Sequence, residues 1–126
     1  MISNYVKFTG KYKIGQHVII ESGVTIEDRV EIGDFVIIRK DSVIKSGVTI
    51  QSFVEIQSGV TIGCNSNIAS HTVIKSGLFI GESCNIRELT HITQNTEQFT
   101  EWIGNPAVYI RHLKSQELGE RPISTK

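Results

Sequence analysis

Every sixth residue from Ile14 to Ile92 is isoleucine. The run reads Ile14, Ile20, Ile26, Ile32, Ile38, Ile44, Ile50, Ile56, Ile62, Ile68, Ile74, Ile80, Ile86 and Ile92, fourteen in register without insertion or deletion. Phe8 and Ile2 continue the phase backwards. A period of six matches neither the 3.6 of a helix nor plain strand alternation. It does match short strands separated by tight corners, with one isoleucine pointing inward on each strand. Four residues after each isoleucine comes a second small or β-branched position, from Val18, Val24 and Val30 through Ser42 and Ser66 to Cys84 and Thr90. Side chains of this kind suit a pleated, half-buried surface.

The phrases "ESGVTI" at Glu21, "KSGVTI" at Lys45 and "QSGVTI" at Gln57 repeat because each spells one corner and the strand after it. Three residues beyond the isoleucine stand Gly23, Gly47, Gly59, Gly77, Asn65 and Asn95. Glycine, and less readily asparagine, accepts the left-handed backbone that a sharp corner demands.

This pattern resembles the hexapeptide-repeat family of left-handed parallel β-helices, over residues 2 to about 96. The resemblance implies an all-β fold: a single-stranded left-handed parallel β-helix of about five coils, with three strands and eighteen residues per coil and a C-terminal capping segment. The helix is expected over residues 1–97, with the capping segment and tail over 98–126. At roughly 4.8 Å between paired strands the column stands about 25 Å tall.

With eighteen residues per coil, the corners sort into three columns. Tyr5, Gly23, Asp41, Gly59, Gly77 and Asn95 form one, and Lys11, Arg29, Gly47, Asn65 and Ser83 another. The third is His17, Phe35, Phe53, His71 and Leu89, followed on its outer face by Ile19, Ile37, Glu55, Val73 and His91. One edge is therefore apolar, aromatic and studded with histidines. A contiguous exposed stripe of that kind marks an interface. The edge His17/Ile19/Phe35/Ile37/Phe53/His71/Val73/Leu89 is expected to pack copies of the chain together, and the resemblance implies a homotrimer.

Gly104-Asn105-Pro106-Ala107 and then Ile110-Arg111 are similar to the closing segment of hexapeptide acyltransferases, G-x-P-A-K-V-I-R, which helps to hold coenzyme A. Val108 stands where that family has lysine. The resemblance implies acetyl-coenzyme A as co-substrate, with Gly104, Asn105, Pro106 and Ala107 beside it and Arg111, with His112 or Lys114, toward its phosphates. Such a segment also caps the open end of a repeat array, with Phe99 and Trp102 as plugs.

Acyl transfer needs the acceptor deprotonated as it attacks, and histidine titrates near the working pH. The family places its base at the subunit interface, which points to His71 as base and His91 as orienter or second candidate. Left-handed corners also attract histidine for purely conformational reasons, so His71 as a plain corner residue is the competing expectation. The family's base lies about three coils before the closing segment, where this edge carries Phe35, Ile37 and Glu55 instead, and its acceptor loop is absent. Glu55 or Asp41 is the alternative catalytic group. Gly63 and Gly81 leave room for close approach of a ligand.

The expected activity is acetyl transfer to an amino or hydroxyl group of a sugar, with nucleotide-linked sugars included, by analogy of fold. Two alternatives stand beside it. A metal enzyme like the gamma-class carbonic anhydrases needs three histidines on one ion. His17 and His71 are 54 residues apart, about three coils or roughly 14 Å, so no metal is expected. A non-catalytic trimeric scaffold is the other.

Lysine plus arginine and aspartate plus glutamate both total 13, so nothing here has the basic footprint of a nucleic-acid or membrane binder. Met1 to Gly10 holds no apolar run of signal-peptide length, and a cytoplasmic protein is expected. Cys64 and Cys84 sit at different phases of the repeat and are expected to be reduced structural thiols.

Overall fold

The computed structural model describes residues 1–114. Over that span the chain is a single-stranded left-handed parallel β-helix of about five coils. The sequence also suggests a short helix from His112 through Leu118; its last four residues lie outside the described residues, and His112 itself ends a strand.

Three walls run the length of the column. The first stacks Lys7–Phe8, Thr25–Ile26, Val43–Ile44, Thr61–Ile62 and Phe79–Ile80. The second stacks Tyr12–Ile14, Val30–Ile32, Thr49–Ile50, Asn67–Ile68 and Asn85–Ile86, then adds Thr100–Ile103 and Val108–His112. The third stacks Ile19–Ile20, Ile37–Ile38, Glu55–Ile56, Val73–Ile74 and His91–Ile92. Residues eighteen apart are partners, as in Ile38↔Ile56 and Ile56↔Ile74. The isoleucines therefore lie one above another and fill the bore. All those from Ile38 to Ile92 are at most 1% exposed, and burying each is worth about 1.5–3 kcal/mol.

The corners are left-handed, as their residue types foretell, with φ of 71–82° at Gly23, Gly47, Gly59 and Gly77. The same conformation is imposed on residues without glycine's freedom: His17, Arg29, Phe35, Asp41, Phe53, Asn65, His71, Ser83 and Leu89 all have φ of 55–64°. Each such residue costs about 1–2 kcal/mol. The corner amides offset part of that cost by donating to the coil before them, Phe35 N to Gln16 O at 2.9 Å and Phe53 N to Asp34 O at 3.0 Å.

Glycine has a second use. A Cβ on Gly63 would come within 2.5 Å of Glu82 N, and one on Gly81 within 2.5 Å of Gln98 N. The close neighbour of both glycines is the next coil's own backbone, rather than the ligand that the sequence allowed for.

The expected phase ends at Ile92. Ile80 bridges to Thr96 and Ile86 aligns with Trp102, both sixteen residues on, so the last coil is two residues short. Thr96 and Trp102 take the inward places. Phe99 (φ 59°) is the left-handed corner above Ser83, with its amide donating to Glu82 O at 2.9 Å, while Asn95, expected as the corner above Gly77, does not adopt that conformation. Val108–His112 then returns antiparallel against Thr100–Ile103. Trp102 and Ala107 are buried against the core at the end of the bore, Leu113 is buried with its amide donating to Phe99 O at 2.6 Å, and Trp102 Nε1 donates to Thr100 Oγ1 at 2.9 Å. Phe99 is only half-buried. Its role is the corner rather than the expected plug. At the other end Phe8 and Tyr12 stack with ring centroids 4.3 Å apart. Both cysteines are free: Cys84 is buried with Sγ directed at Glu97 O (3.0 Å), and Cys64 is half-buried.

Candidate active site

The edge between the second and third walls carries a column of rings. His17 and Phe35 are 4.9 Å apart, Phe35 and Phe53 5.1 Å, and Phe53 and His71 5.0 Å, with planes inclined by 15°, 3° and 1°. Strand spacing of about 4.8 Å and aromatic stacking distance nearly coincide. The shared left-handed corner throws each side chain outward in the same direction, so the rings fall parallel. Phe35 and Phe53 remain 49% and 52% exposed, and Leu89 continues the column at 69%. The single chain thus leaves half of a continuous aromatic surface in water.

On the third wall beside it stand Ile19, Ile37, Glu55, Val73 and His91, in register. Glu55 is not an isolated carboxylate. Arg39 Nε lies 3.4 Å from Glu55 Oε2, while Arg39 Nη1 lies 2.8 Å from Glu21 Oε2. Glu21 also accepts from Lys40 N at 3.0 Å. The Arg39 hydrogen bond holds the Glu21 carboxyl below its usual range, and the same bond raises Arg39. Arg39 thus ties the carboxylates of the coils before and after its own, joining three successive coils. The sequence signal for this was the eighteen-residue step from Glu21 to Arg39. Asp41 lies exposed at a corner between the third wall and the first, beyond the strand Ile37–Ile38 and away from the ring column.

Glu55 and His91 flank Val73 in the register, two strand spacings or roughly 10 Å apart. They do not form a hydrogen-bonded pair within one chain. His71 stands at the corner with its ring face against Phe53.

The closing segment meets His91 directly. His91 N donates to Gly104 O at 2.9 Å, and Ala107 N donates to His91 O at 3.0 Å. Gly104 takes φ 104°, and the Asn105–Pro106 peptide is cis. Gly104, Asn105, Pro106 and Ala107 therefore form a turn fastened to the last strand of the histidine-bearing wall. Val108 is exposed.

Arg111 is engaged elsewhere. Its Nε donates to Glu101 Oε1 at 2.7 Å. Glu101 is a carboxylate only 5% exposed, satisfied also by Asn85 Nδ2 at 2.9 Å, with Arg87 Nε at 3.8 Å. Asn67 Nδ2 in turn donates to Asn85 Oδ1 at 3.1 Å. This polar ladder clamps the returning strand to the second wall. Glu101 could not be picked out from the sequence, because the two-residue shortening hides its alignment with Asn85. Lys114 lies exposed just beyond the returning strand.

A shallow, open trough of about 580 Å³, of mixed polar and apolar lining, borders the ring column on its other flank, along the second wall. Thr49, Gln51, Ser52 and Ser70 line its upper part, and Lys13 and Glu31 its lower part. Among the described residues no three His, Cys, Asp or Glu side chains gather where they could hold one metal ion.

No protein-family model and no curated protein sequence matches the chain. Solved structures do share its fold. The acetyltransferase domain of PglB from Neisseria gonorrhoeae FA1090 superposes with a TM-score of 0.74 at 16% identity, over 87% of this chain and 57% of that one. The same domain in complex with acetyl coenzyme A gives 0.66, at 16% identity over 86% and 56%. A maltose O-acetyltransferase from Clostridium difficile 630 gives 0.70, at 18% identity over 87% of this chain and 71% of that one. This chain spans little more than half the length of the PglB domain.

Proposed function

We propose that the chain is an acetyl-coenzyme A-dependent acetyltransferase acting on an amino or hydroxyl group of a sugar, free or nucleotide-linked. Its active sites lie between the subunits of a homotrimer assembled along the His17-to-Leu89 edge. The observation that supports this most is the fastening of the Gly104–Ala107 turn to His91, which joins the segment resembling a coenzyme-holding motif to the wall beside the exposed ring column. A fold shared with sugar acetyltransferases, one of them solved with acetyl coenzyme A, agrees with it.

In this reading Gly104, Asn105, Pro106 and Ala107 border the pantetheine arm. Arg111 and Lys114 face the phosphates, Arg111 with its Nε already committed to Glu101. His71 takes the proton from the acceptor as its nitrogen or oxygen attacks the thioester carbonyl carbon. The new C–N or C–O bond forms, the C–S bond breaks, and the departing thiolate takes up a proton. His91 orients the acceptor or replaces His71 as base, and Glu55, held by Arg39, is the third candidate.

Acetyl coenzyme A at a hundred times its dissociation constant adds about 2.7 kcal/mol of apparent stability. The expected result is a rise in melting temperature that saturates with ligand. An unchanged melting temperature at millimolar acetyl coenzyme A counts against the transferase. A rigid trimeric scaffold is the second reading, favoured by a stack with no loop breaking its coils between Ile14 and Ile92 and by the tie between Glu55 and Arg39.

A further inference from the structure

The trough beside the ring column has a chemistry of its own. It is bounded by Ser52 and Ser70, each one residue before a ring of the column, Phe53 and His71. Its upper walls are hydroxyls and an amide: Thr49, Gln51, Ser52 and Ser70, with Ser70 Oγ 3.3 Å from Gln51 Oε1 and Ser52 Oγ accepting from Asp34 N at 3.1 Å. Its floor dips at Gly15 and Gly33, where the next coil comes too close for a Cβ. Lys13 and Glu31 face each other in the β register at its lower end, so their charges offset. Among the described residues no arginine lines it.

A diphosphate calls for converging cations, most often arginine forks. Here it would meet one ammonium with a carboxylate beside it. A neutral polyhydroxyl ligand, in contrast, finds donors and acceptors that exchange for its water at little cost. We infer that the acceptor is an uncharged saccharide seated in the trough along Thr49, Gln51, Ser52 and Ser70, rather than a nucleotide diphosphate sugar. The trough ends at Ser70, so the leading hydroxyl or amine of such a ligand arrives beside His71. This inference rests on the transferase reading and decides between its two kinds of acceptor.

Saturation-transfer NMR with maltose and with UDP-glucose, each added to the assembled protein with acetyl coenzyme A, tests it. Maltose is expected to receive saturation and UDP-glucose to bind at least tenfold more weakly. Thr49→Trp, which fills the trough, is expected to abolish the maltose signal, and Gln51→Ala to weaken it about fivefold or more. Both variants are expected to keep the acetyl coenzyme A melting shift. No transfer to maltose, transfer that survives both substitutions, or tighter binding of UDP-glucose overturns the inference. If the melting shift is present while maltose fails, the neutral acceptor alone is wrong. If the shift is absent too, the transferase reading falls with it.

Discussion

The imidazole of His71 lies 5.0 Å from the ring of Phe53, with 1° between their planes. The candidate base is therefore held by stacking at a corner whose φ is 63°. Its edge remains available to a partner subunit or an acceptor. Orientation by a packed ring column does for His71 what a second carboxylate does elsewhere, fixing the imidazole before substrate arrives.

The first prediction concerns that residue. His71→Ala is expected to lower kcat by about 10²- to 10⁴-fold if it is the base. The proposed trimer and the acetyl coenzyme A melting shift are expected to persist. Steady-state thiol release with sedimentation of the same sample measures both. Near-normal turnover would move the role to His91 or Glu55.

Phe53 separates packing from backbone strain. Phe53→Ala and Phe53→Gly both remove the ring from the middle of the column, and both are expected to weaken assembly. Only glycine relieves the left-handed corner at φ 62°. Chemical denaturation should therefore find Phe53→Gly more stable than Phe53→Ala by about 1 kcal/mol. Equal stabilities would mean that the corner carries no strain.

Two glycines make a matched pair. A Cβ on Gly63 meets the backbone of the next coil at 2.5 Å, whereas one on Gly77 meets nothing within 4 Å but sits at φ 76°. Gly63→Ala must push coils apart, and a loss of several kcal/mol is expected, on the order of an overpacked core. Gly77→Ala is expected to cost only about 1–2 kcal/mol. Urea midpoints of the two variants provide the comparison.

Acid stability follows from Glu21 and Asp28. Arg39 holds Glu21 below the usual carboxylate range, and Asp28 is lowered chiefly by the backbone amide of Lys11, which donates to it at 2.8 Å. A lowered folded value stabilises the fold above the unfolded carboxylate range, and that contribution is lost as pH falls through the lowered values. Melting temperature should decline on acidification. In Glu21→Gln the decline should be shallower, and a variant that tracks the wild type would exclude Glu21 as a contributor.

The repeat was legible because one residue type marks one geometric role. Isoleucine at every sixth position fixed the walls, and the column of His17, Phe35, Phe53 and His71 followed once eighteen residues made a coil. Legibility ended where that one-to-one relation ended. After Ile92 the inward places pass to Thr96 and Trp102 and the coil loses two residues, so Asn95 was misplaced as a corner and Glu101 went unnoticed. Arg39 and Arg111 show a different limit. Composition reveals a charge, and the eighteen-residue step sets Glu21 beside Arg39, but only the folded structure reveals that Glu55 and Glu101 also hold those guanidinium groups.

Because each full coil consumes the same eighteen residues, shortening the chain keeps the rings in one column only in whole storeys. Excising residues 36–53 would join Phe35 to Val54 without disturbing the phase of any isoleucine, and would seat His71 directly on Phe35. Removing any number that is not a multiple of six would instead turn the following isoleucines out of the bore. The chain is a ruler graduated in storeys, and the distance from His17 to His71 is a length that evolution or an engineer can reset only in those steps.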